Sequence, residues 1–401
     1  MQVACMVNTF PTVTETFILN QIAGLLNQGH DVRIFAQPPS STQTSHSVIQ
    51  EYSLLDRVVY PKKPATYSEG FRILTGALEK IVSNRLVASK ALLGQFSLDK
   101  ELPYRLSKLA AILGEADFDI YHAHFGYVGN EYYNVIEYQT EPFVVSFYGI
   151  DASQRLREDP SRYDRLFSSA DAITVLSEDM RSDLVDAGCP ESKTHLQPLC
   201  IDTSEFPFKQ RRREADEPIE ILTVARFVEK KGVEYALRAV AEVAKGRDIT
   251  YRIAGDGERR DQIEQLIAEL NIEDTVELLG WCNQSEIIEL MHDSHLFVLP
   301  SVTAENGDKE GTPTVLLEAQ ATGLPVVSTY HAGIPEIVDD GGSGLLVPER
   351  DVKALAEAVE TLANDDTWWE PMGKRGRELV EQNHSIETVS ADLVDLYQTL
   401  R

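Results

Sequence analysis

Two hydrophobic rhythms alternate along the chain. Strands are predicted at Gln2–Val7, Asp31–Ala36 and His195–Pro198, and short apolar runs occur at Ile120–His124, Phe143–Phe147 and Ala172–Leu176. These runs are apolar on both faces, as strands of a parallel sheet covered on both sides must be. Between the first two strands, Phe17, Ile18, Ile22, Leu25 and Leu26 recur at helical spacing over Thr16–Gln28, and Gly29 supplies the stop. A polar, basic-then-acidic stretch, Phe206–Pro218, interrupts the pattern, which then resumes. Strands are predicted at Ile219–Val224, Thr250–Ala254, Val276–Leu279, Leu296–Leu299, Val326–Ser328 and Gly344–Val347. Helices are predicted at Gly232–Ala244, Asp261–Asn271, Glu286–Asp293 and Val315–Ala321, and three more, Val352–Leu362, Trp368–Gln382 and Ile386–Leu400, close the chain. Strands alternating with helices specify parallel sheets with crossover connections. At 401 residues the chain exceeds what one core supports, so two α/β domains are expected, with a ligand cleft between them.

Composition narrows the partners. Sixty-four acidic residues against 37 basic ones give a net charge of −27. Such a surface repels nucleic-acid phosphates, so no nucleic-acid partner is expected. The apolar share of 43% is that of a folded chain, and no apolar run reaches the roughly 18 residues of a membrane span. Met1–Phe10 lacks a basic, then apolar, secretory leader, so a cytoplasmic protein is expected. Cys5, Cys189, Cys200 and Cys282 form no C-x-x-C pair, so they are expected to be buried thiols, with no metal site.

In so acidic a chain, clusters of cations stand out. Residues 56–110 hold ten basic and five acidic residues, with Leu74, Leu78, Ile81, Val82, Leu92 and Leu93 interleaved over Phe71–Phe96. This pattern fits a basic amphipathic helix on an anionic membrane surface, or a core-facing helix with solvated cations. A second cluster, Arg226-Phe-Val-Glu-Lys-Lys231-Gly232, sits where a strand turns into a helix. Cations at a helix start are unfavourable without an anionic ligand, so this turn is a candidate phosphate site. In Glu305–Gly323, a loop leads into a helix with Pro313 at its first position, leaving free backbone N–H groups there. Glu310 precedes that start and Glu318 lies inside the helix. Carboxylates accept hydrogen bonds from vicinal diols, so one suits a sugar and the other a ribose; an N-terminal acid and a solvated helix residue are the bland alternative.

The residues from 219 to 349 resemble a known pattern in order and spacing. They include Arg226…Lys231-Gly232, Ala254-Gly255-Asp256-Gly257, Val298-Leu-Pro-Ser301, Glu310-Gly-x5-Leu-Glu318, Gly323-Leu-Pro-Val-Val327, Gly333-Ile-Pro-Glu-Ile337 and Gly344-Leu-Leu-Val-Pro348. The chain resembles retaining glycosyltransferases of family 4, which have the GT-B fold. Phe10-Pro-x3-Glu15-Thr-Phe-Ile18, His122-Ala-His124-Phe-Gly126 and Gly149-Ile-Asp151 resemble the subgroup that builds exopolysaccharides such as colanic acid. The resemblance implies an α/β architecture of two Rossmann-like domains: residues 1–207 for the acceptor, residues 208–384 for the donor, and a C-terminal helix, 385–401, crossing back to the first. It implies metal-independent transfer of a hexose from a UDP- or GDP-sugar, with retention, to a glycan or polyprenyl-linked saccharide, and no further cofactor. Arg226 and Lys231 would neutralise the diphosphate and Glu310 would hold the donor sugar. Gly311, Thr312, Pro313 and Thr314 would approach the sugar or distal phosphate, and Glu318 would bind the ribose. Gly255, Trp281 and Cys282 would line the nucleotide site. Thr14, Glu15, Tyr148 and Asp151 would face the acceptor and sugar.

Two departures bear on mechanism. Many relatives have a Gly-Gly pair where this chain reads Thr12-Val-Thr14-Glu15, and a His where it has Tyr148. His122 or His124 is then a candidate for the proton-handling role. A weakly catalytic nucleotide-sugar-binding protein, or a phosphorylase or hydrolase on the same fold, are the competing readings. A dinucleotide oxidoreductase is excluded, because Met6–Thr16 has no glycine after the first strand.

Overall fold

A computed structural model describes residues 1–12, 15–39, 47–62, 69, 75, 102–115, 117–136, 139–213 and 217–401. The predicted basic helix over Phe71–Phe96 lies outside the described residues, apart from Thr75, and Thr14 also lies outside them. The chain divides into two compact units, Met1–Leu176 with Arg181–Gln197 and Val389–Arg401, and Ser177–Met180 with Pro198–Thr388.

The first unit is built on seven strands: β1 (Gln2–Thr9), β2 (Asp31–Gln37), β3 (Val58–Val59), β4 (Ile120–His124), β5 (Phe143–Ser146), β6 (Ala172–Val175) and β7 (Thr194–Leu196). All neighbours are parallel, in the order β3-β2-β1-β4-β5-β6-β7. Val3, Cys5 and Val7 of β1 pack with Val32 and Ile34 of β2 and with Ile18, Leu19 and Ile22 of the helix Thr16–Asn27. The last helix, Ile386–Leu400, adds Leu393, Val394 and Tyr397 to this core. The short β3 has no readable period at two residues. The helix Gly126–Ile136 also escaped the sequence pattern, because two glycines and three tyrosines blur its apolar face.

The second unit has six parallel strands: β8 (Ile219–Val224), β9 (Ile249–Ala254), β10 (Val276–Gly280), β11 (Leu296–Leu299), β12 (Val326–Thr329) and β13 (Gly344–Val347). Their order is β10-β9-β8-β11-β12-β13. Leu296–Leu299 and Val326–Thr329 are buried throughout, as central strands of a parallel sheet covered on both faces are. The helices Val233–Val243 and Val352–Asn364 cover the sheet with Ala236, Leu237, Val240, Leu355, Val359 and Leu362.

In each sheet the winding direction reverses once, between β1 and β4 and between β8 and β11. Open parallel sheets bind ligands at the carboxyl ends of the strands flanking such a reversal. Among the described residues no helix is long and apolar enough to cross a membrane. Cys5, Cys189 and Cys200 are buried free thiols, whereas Cys282 is only half-buried.

Candidate active site at the carboxyl edge of the second sheet

The loop leaving β8 carries the first cations. Phe227 is fully buried and its N–H donates to the Asp256 carbonyl at 2.9 Å, which anchors the loop. The neighbouring Arg226 is therefore pushed outward, exposed and without an ion-pair partner among the described residues. Two glycines are demanded by backbone contact. Gly232 has φ +64°, and a Cβ there would lie 1.9 Å from the Pro300 carbonyl oxygen after β11. Gly255 has φ +143°, and its Cβ would lie 1.9 Å from the Ala225 carbonyl oxygen. The loops after β8, β9 and β11 are thus stacked backbone to backbone, which only glycine permits.

Lys231 reaches across the reversal point to the loop after β11. Its Nζ lies 2.7 Å from Glu310 Oε1, with both side chains largely buried. Ser301 Oγ donates to the same oxygen at 3.3 Å, and Lys230 pairs with Asp308 at 3.0 Å. Burial pushes the Glu310 carboxyl upward, but Lys231 and then Lys230 outweigh it and hold the group below the usual carboxylate range. Glu310 is therefore an ionised acceptor.

Its main chain is fixed from the other side. The Glu310 N–H donates to His331 Nε2 at 3.0 Å, after β12. His331 Nδ1, 2.6 Å from Glu349 Oε1 after β13, is then assigned the ring proton, which it donates. Glu349 also accepts the Thr303 N–H at 2.9 Å. Burial pushes Glu349 upward, but this N–H and the His331 bond bring its pKa below the ordinary value. Lys231, Glu310, His331 and Glu349 thus form one chain of contacts along four adjacent strands, β8, β11, β12 and β13. His331 and Glu349 were not among the residues singled out from the sequence. The signal that could have found them is a polar side chain directly beyond the end of each buried strand.

The helix after this loop runs from Thr314 to Ala321. Pro313 was expected at its first position; instead it stands just before it with extended ψ of 105°, because its backbone still belongs to the loop. Thr314 and Glu318 share the less buried face, four residues apart. Burial pushes the Glu318 carboxyl up to about 7, with the negative charge of Glu205 adding to the effect. Thr312 is buried, yet its Oγ1 has no hydrogen-bond partner among the described residues. Gly311 lies between these groups, half-buried. Beyond β10, Trp281 is 68% exposed beside Cys282, on a loop turned by Gly280 at φ +70°.

The candidates in the first unit have a different character. Asp151 was expected to face an acceptor. It is fully buried: Oδ2 accepts the Gly126 N–H at 2.9 Å and Oδ1 accepts the Tyr163 hydroxyl at 2.8 Å. Both oxygens are engaged, so Asp151 fastens the start of the helix Gly126–Ile136. His122 was a candidate for proton handling. Its Nδ1 contacts Tyr397 Oη at 2.5 Å and its Nε2 contacts Ser146 Oγ at 2.7 Å, leaving no nitrogen for a substrate. Burial, aided by the adjacent His124, drives its pKa well down, so the ring is neutral. His124 is also buried, pushed down to about 3 by burial, and its Nδ1 holds the Tyr148 hydroxyl at 2.8 Å. The Tyr148 ring packs on Phe17 at 4.7 Å and on Phe125 at 4.6 Å. Glu15 is half-buried, accepts from Thr12 Oγ1 at 3.2 Å, and has a pKa raised by burial against that bond.

Residues 14–205 match Glycosyltransferase Family 4, and residues 204–379 match Glycosyl transferases group 1. The chain is 33% identical, over all of both chains, to WcaL of Escherichia coli (strain K12), named as a colanic acid biosynthesis glycosyltransferase. It is 32% identical to the amylovoran biosynthesis glycosyltransferase AmsK of Erwinia amylovora, across 98% of each chain. Among solved structures, Anabaena HepE in complex with UDP-glucose superposes with a TM-score of 0.72 over 100% of both chains, at 15% identity. The chain belongs to glycosyltransferase family 4. It is a glycosyltransferase of GT-B architecture, homologous to enzymes of exopolysaccharide biosynthesis.

Proposed function

We propose that the enzyme transfers a hexose, with retention and without a metal, from a UDP- or GDP-sugar to a glycan or polyprenyl-linked saccharide during exopolysaccharide assembly. The observation that carries this reading is Arg226, exposed and without an ion-pair partner among the described residues, on the same loop as Lys231, whose pair with Glu310 lies at the reversal point of the second sheet. In a chain of net charge −27, an unpartnered cation at a strand-to-helix turn asks for an anion. Arg226 and Lys231 neutralise the diphosphate, including the charge that grows on it as the glycosidic bond breaks, so they favour the transition state over the ground state. Glu310, ionised and held by Lys231, accepts hydrogen bonds from donor-sugar hydroxyls. Backbone N–H groups of Gly311, Thr312 and Thr314, with the Thr312 hydroxyl, which has no hydrogen-bond partner among the described residues, approach the sugar or distal phosphate. Glu318 takes the ribose, and Gly255, Trp281 and Cys282 border the nucleotide. The leaving phosphate serves as the base toward the acceptor hydroxyl, which requires no enzyme nucleophile. Tyr148, oriented by His124, and Glu15 serve the acceptor side of the reaction. Residues 56–110 dock the enzyme at the cytoplasmic face of an anionic membrane, where a lipid-linked acceptor resides. The names of the colanic acid and amylovoran relatives support the pathway class.

The test is a thermal-shift panel of UDP-glucose, UDP-galactose, GDP-mannose and ADP-glucose, followed by kinetics of Arg226→Ala with the stabilising donor. Stabilisation by one donor and a loss of about 100-fold or more in kcat/KM are expected. No stabilisation by any of them, or wild-type kinetics in Arg226→Ala, would overturn the reading.

A further inference from the structure

We infer that His331 is a positioning residue for the donor sugar: it fixes the main chain of Glu310 and, through it, the carboxylate beside Lys231. The inference rests on the proposed role of Glu310 as the sugar-holding acid. The segment from Ser301 to Pro313 has no regular strand or helix. Apart from an internal turn, in which the Ala304 N–H donates to Asp308 O and the Gly307 N–H to Ala304 O, its backbone groups find partners outside the segment, and buried ones are costly to leave unpaired. The Glu310 N–H, inside that segment, has the His331 ring as its partner at 3.0 Å.

Imidazole suits this place for a chemical reason. It presents a rigid acceptor and a rigid donor on opposite edges of one ring, which neither Lys nor Arg can do. Nε2 accepts from Glu310, while Nδ1–H donates to Glu349 Oε1 at 2.6 Å, and Glu349 in turn takes the Thr303 N–H at 2.9 Å. One buried ring therefore ties both ends of the loop, Thr303 and Glu310, to the ends of β12 and β13. The backbone around the ring is shaped to this end. His331 N–H donates to Thr329 O at 2.8 Å, and the Ile334 N–H donates back to His331 O at 3.0 Å. Ala332 adopts φ +45°, a left-handed conformation rare for a residue with a side chain. A Cβ on the next residue, Gly333, would come within 2.9 Å of the Gly311 carbonyl oxygen, so the turn presses directly on the Glu310–Gly311 backbone. A displacement of about 1 Å in a substrate-positioning group can cost roughly 100-fold in rate, so the brace has kinetic leverage without touching substrate.

The experiment compares wild type with His331→Leu, His331→Gln, Glu349→Ala and Glu310→Ala. The readouts are hydrogen exchange across residues 301–313, affinity for UDP and GDP, and hydrolysis of UDP-glucose, UDP-galactose and GDP-mannose. His331→Leu is expected to lose exchange protection at Glu310 and to drop kcat/KM for the donor about 30- to 100-fold. Affinity for the nucleoside diphosphate should stay within about twofold, because the sugar end alone is misplaced. Gln, whose amide supplies an acceptor and a donor, should restore most of the loss. Unchanged exchange and kcat/KM in His331→Leu would overturn the inference. So would an equal loss of diphosphate affinity, which would mark a general collapse. Should His331→Leu fail to fold, Glu349→Ala removes the brace and carries the same expectation. Wild-type turnover in Glu310→Ala would sink the sugar-holding role itself. An impaired Glu310→Ala beside wild-type His331→Leu and Glu349→Ala would sink the positioning role alone.

Discussion

The two sheets share a winding pattern, yet the carboxyl edges of their strands are furnished in opposite ways. At the ends of β4 and β5 of the first sheet the polar groups face one another, and both histidines are held in the neutral form. His122, Ser146, Thr174 and Tyr397 form one hydrogen-bonded group, His124 holds Tyr148, and Asp151 is consumed by Gly126 and Tyr163. Beyond β8, β11, β12 and β13 of the second sheet the groups are charged, with Lys231, Glu310 and Glu349 linked through His331, and Arg226 left outside the chain of contacts. Burial drives both histidines of the first edge toward the neutral form, whereas the cations of the second hold Glu310 ionised. The difference teaches that a polar residue at a strand end is not by itself a site. What matters is whether its hydrogen-bonding capacity is already spent inside the protein.

The comparison is broken most forcefully at Lys231. Lys231→Met should cost about 3–5 kcal/mol in urea unfolding, because it strands the Glu310 charge in a buried site. Adding Glu310→Gln should return most of that stability and none of the transfer activity. If the double variant regains activity, the charged edge is structural only.

Glu318 offers a pH test of the second edge. Its folded pKa of about 7 lies above the ordinary glutamate value, so between about pH 4.5 and 7 the folded state binds more protons than the unfolded one. Stability from this group therefore falls as pH rises through that window, by on the order of 3 kcal/mol in total. Glu318→Gln should flatten the slope and be the more stable protein at pH 8. An unchanged pH profile would show that the carboxyl is not held neutral by burial.

Asp151→Ala sharpens the contrast from the first sheet. It leaves the Tyr163 hydroxyl and the Gly126 N–H unpaired and should cost about 1–3 kcal/mol. Per folded molecule, kcat/KM should stay within about twofold. A large kinetic loss without a stability loss would return Asp151 to the acceptor site.

Much of the architecture was legible in the chain. The buried strands of both sheets announce themselves as short apolar runs, and Ile120–His124, Ile219–Val224, Leu296–Leu299 and Gly344–Val347 have the predicted limits. Arg226 and Lys231 stood out as cations at a helix start in an acidic chain, and Glu310 and Glu318 stood out through the spacing of the family motif. The helix Gly126–Ile136 and the two-residue β3 were not legible, since their stability comes from packing and pairing rather than from a local period.

The sequence alone determined the alternation of strands and helices, the parallel class of both sheets and the placement of cations in an acidic chain, because each depends on residues close together along the backbone. Only the tertiary structure decided which polar groups are spent and which are available. His122 is closed by Tyr397, 275 residues away, and Asp151 is closed by Tyr163 and Gly126. Glu310 is kept ionised by Lys231, 79 positions earlier, and held in place by a histidine from the next strand. Protonation state and hydrogen-bond vacancy depend on burial and on neighbours brought together by the fold, and no local pattern of residues encodes either.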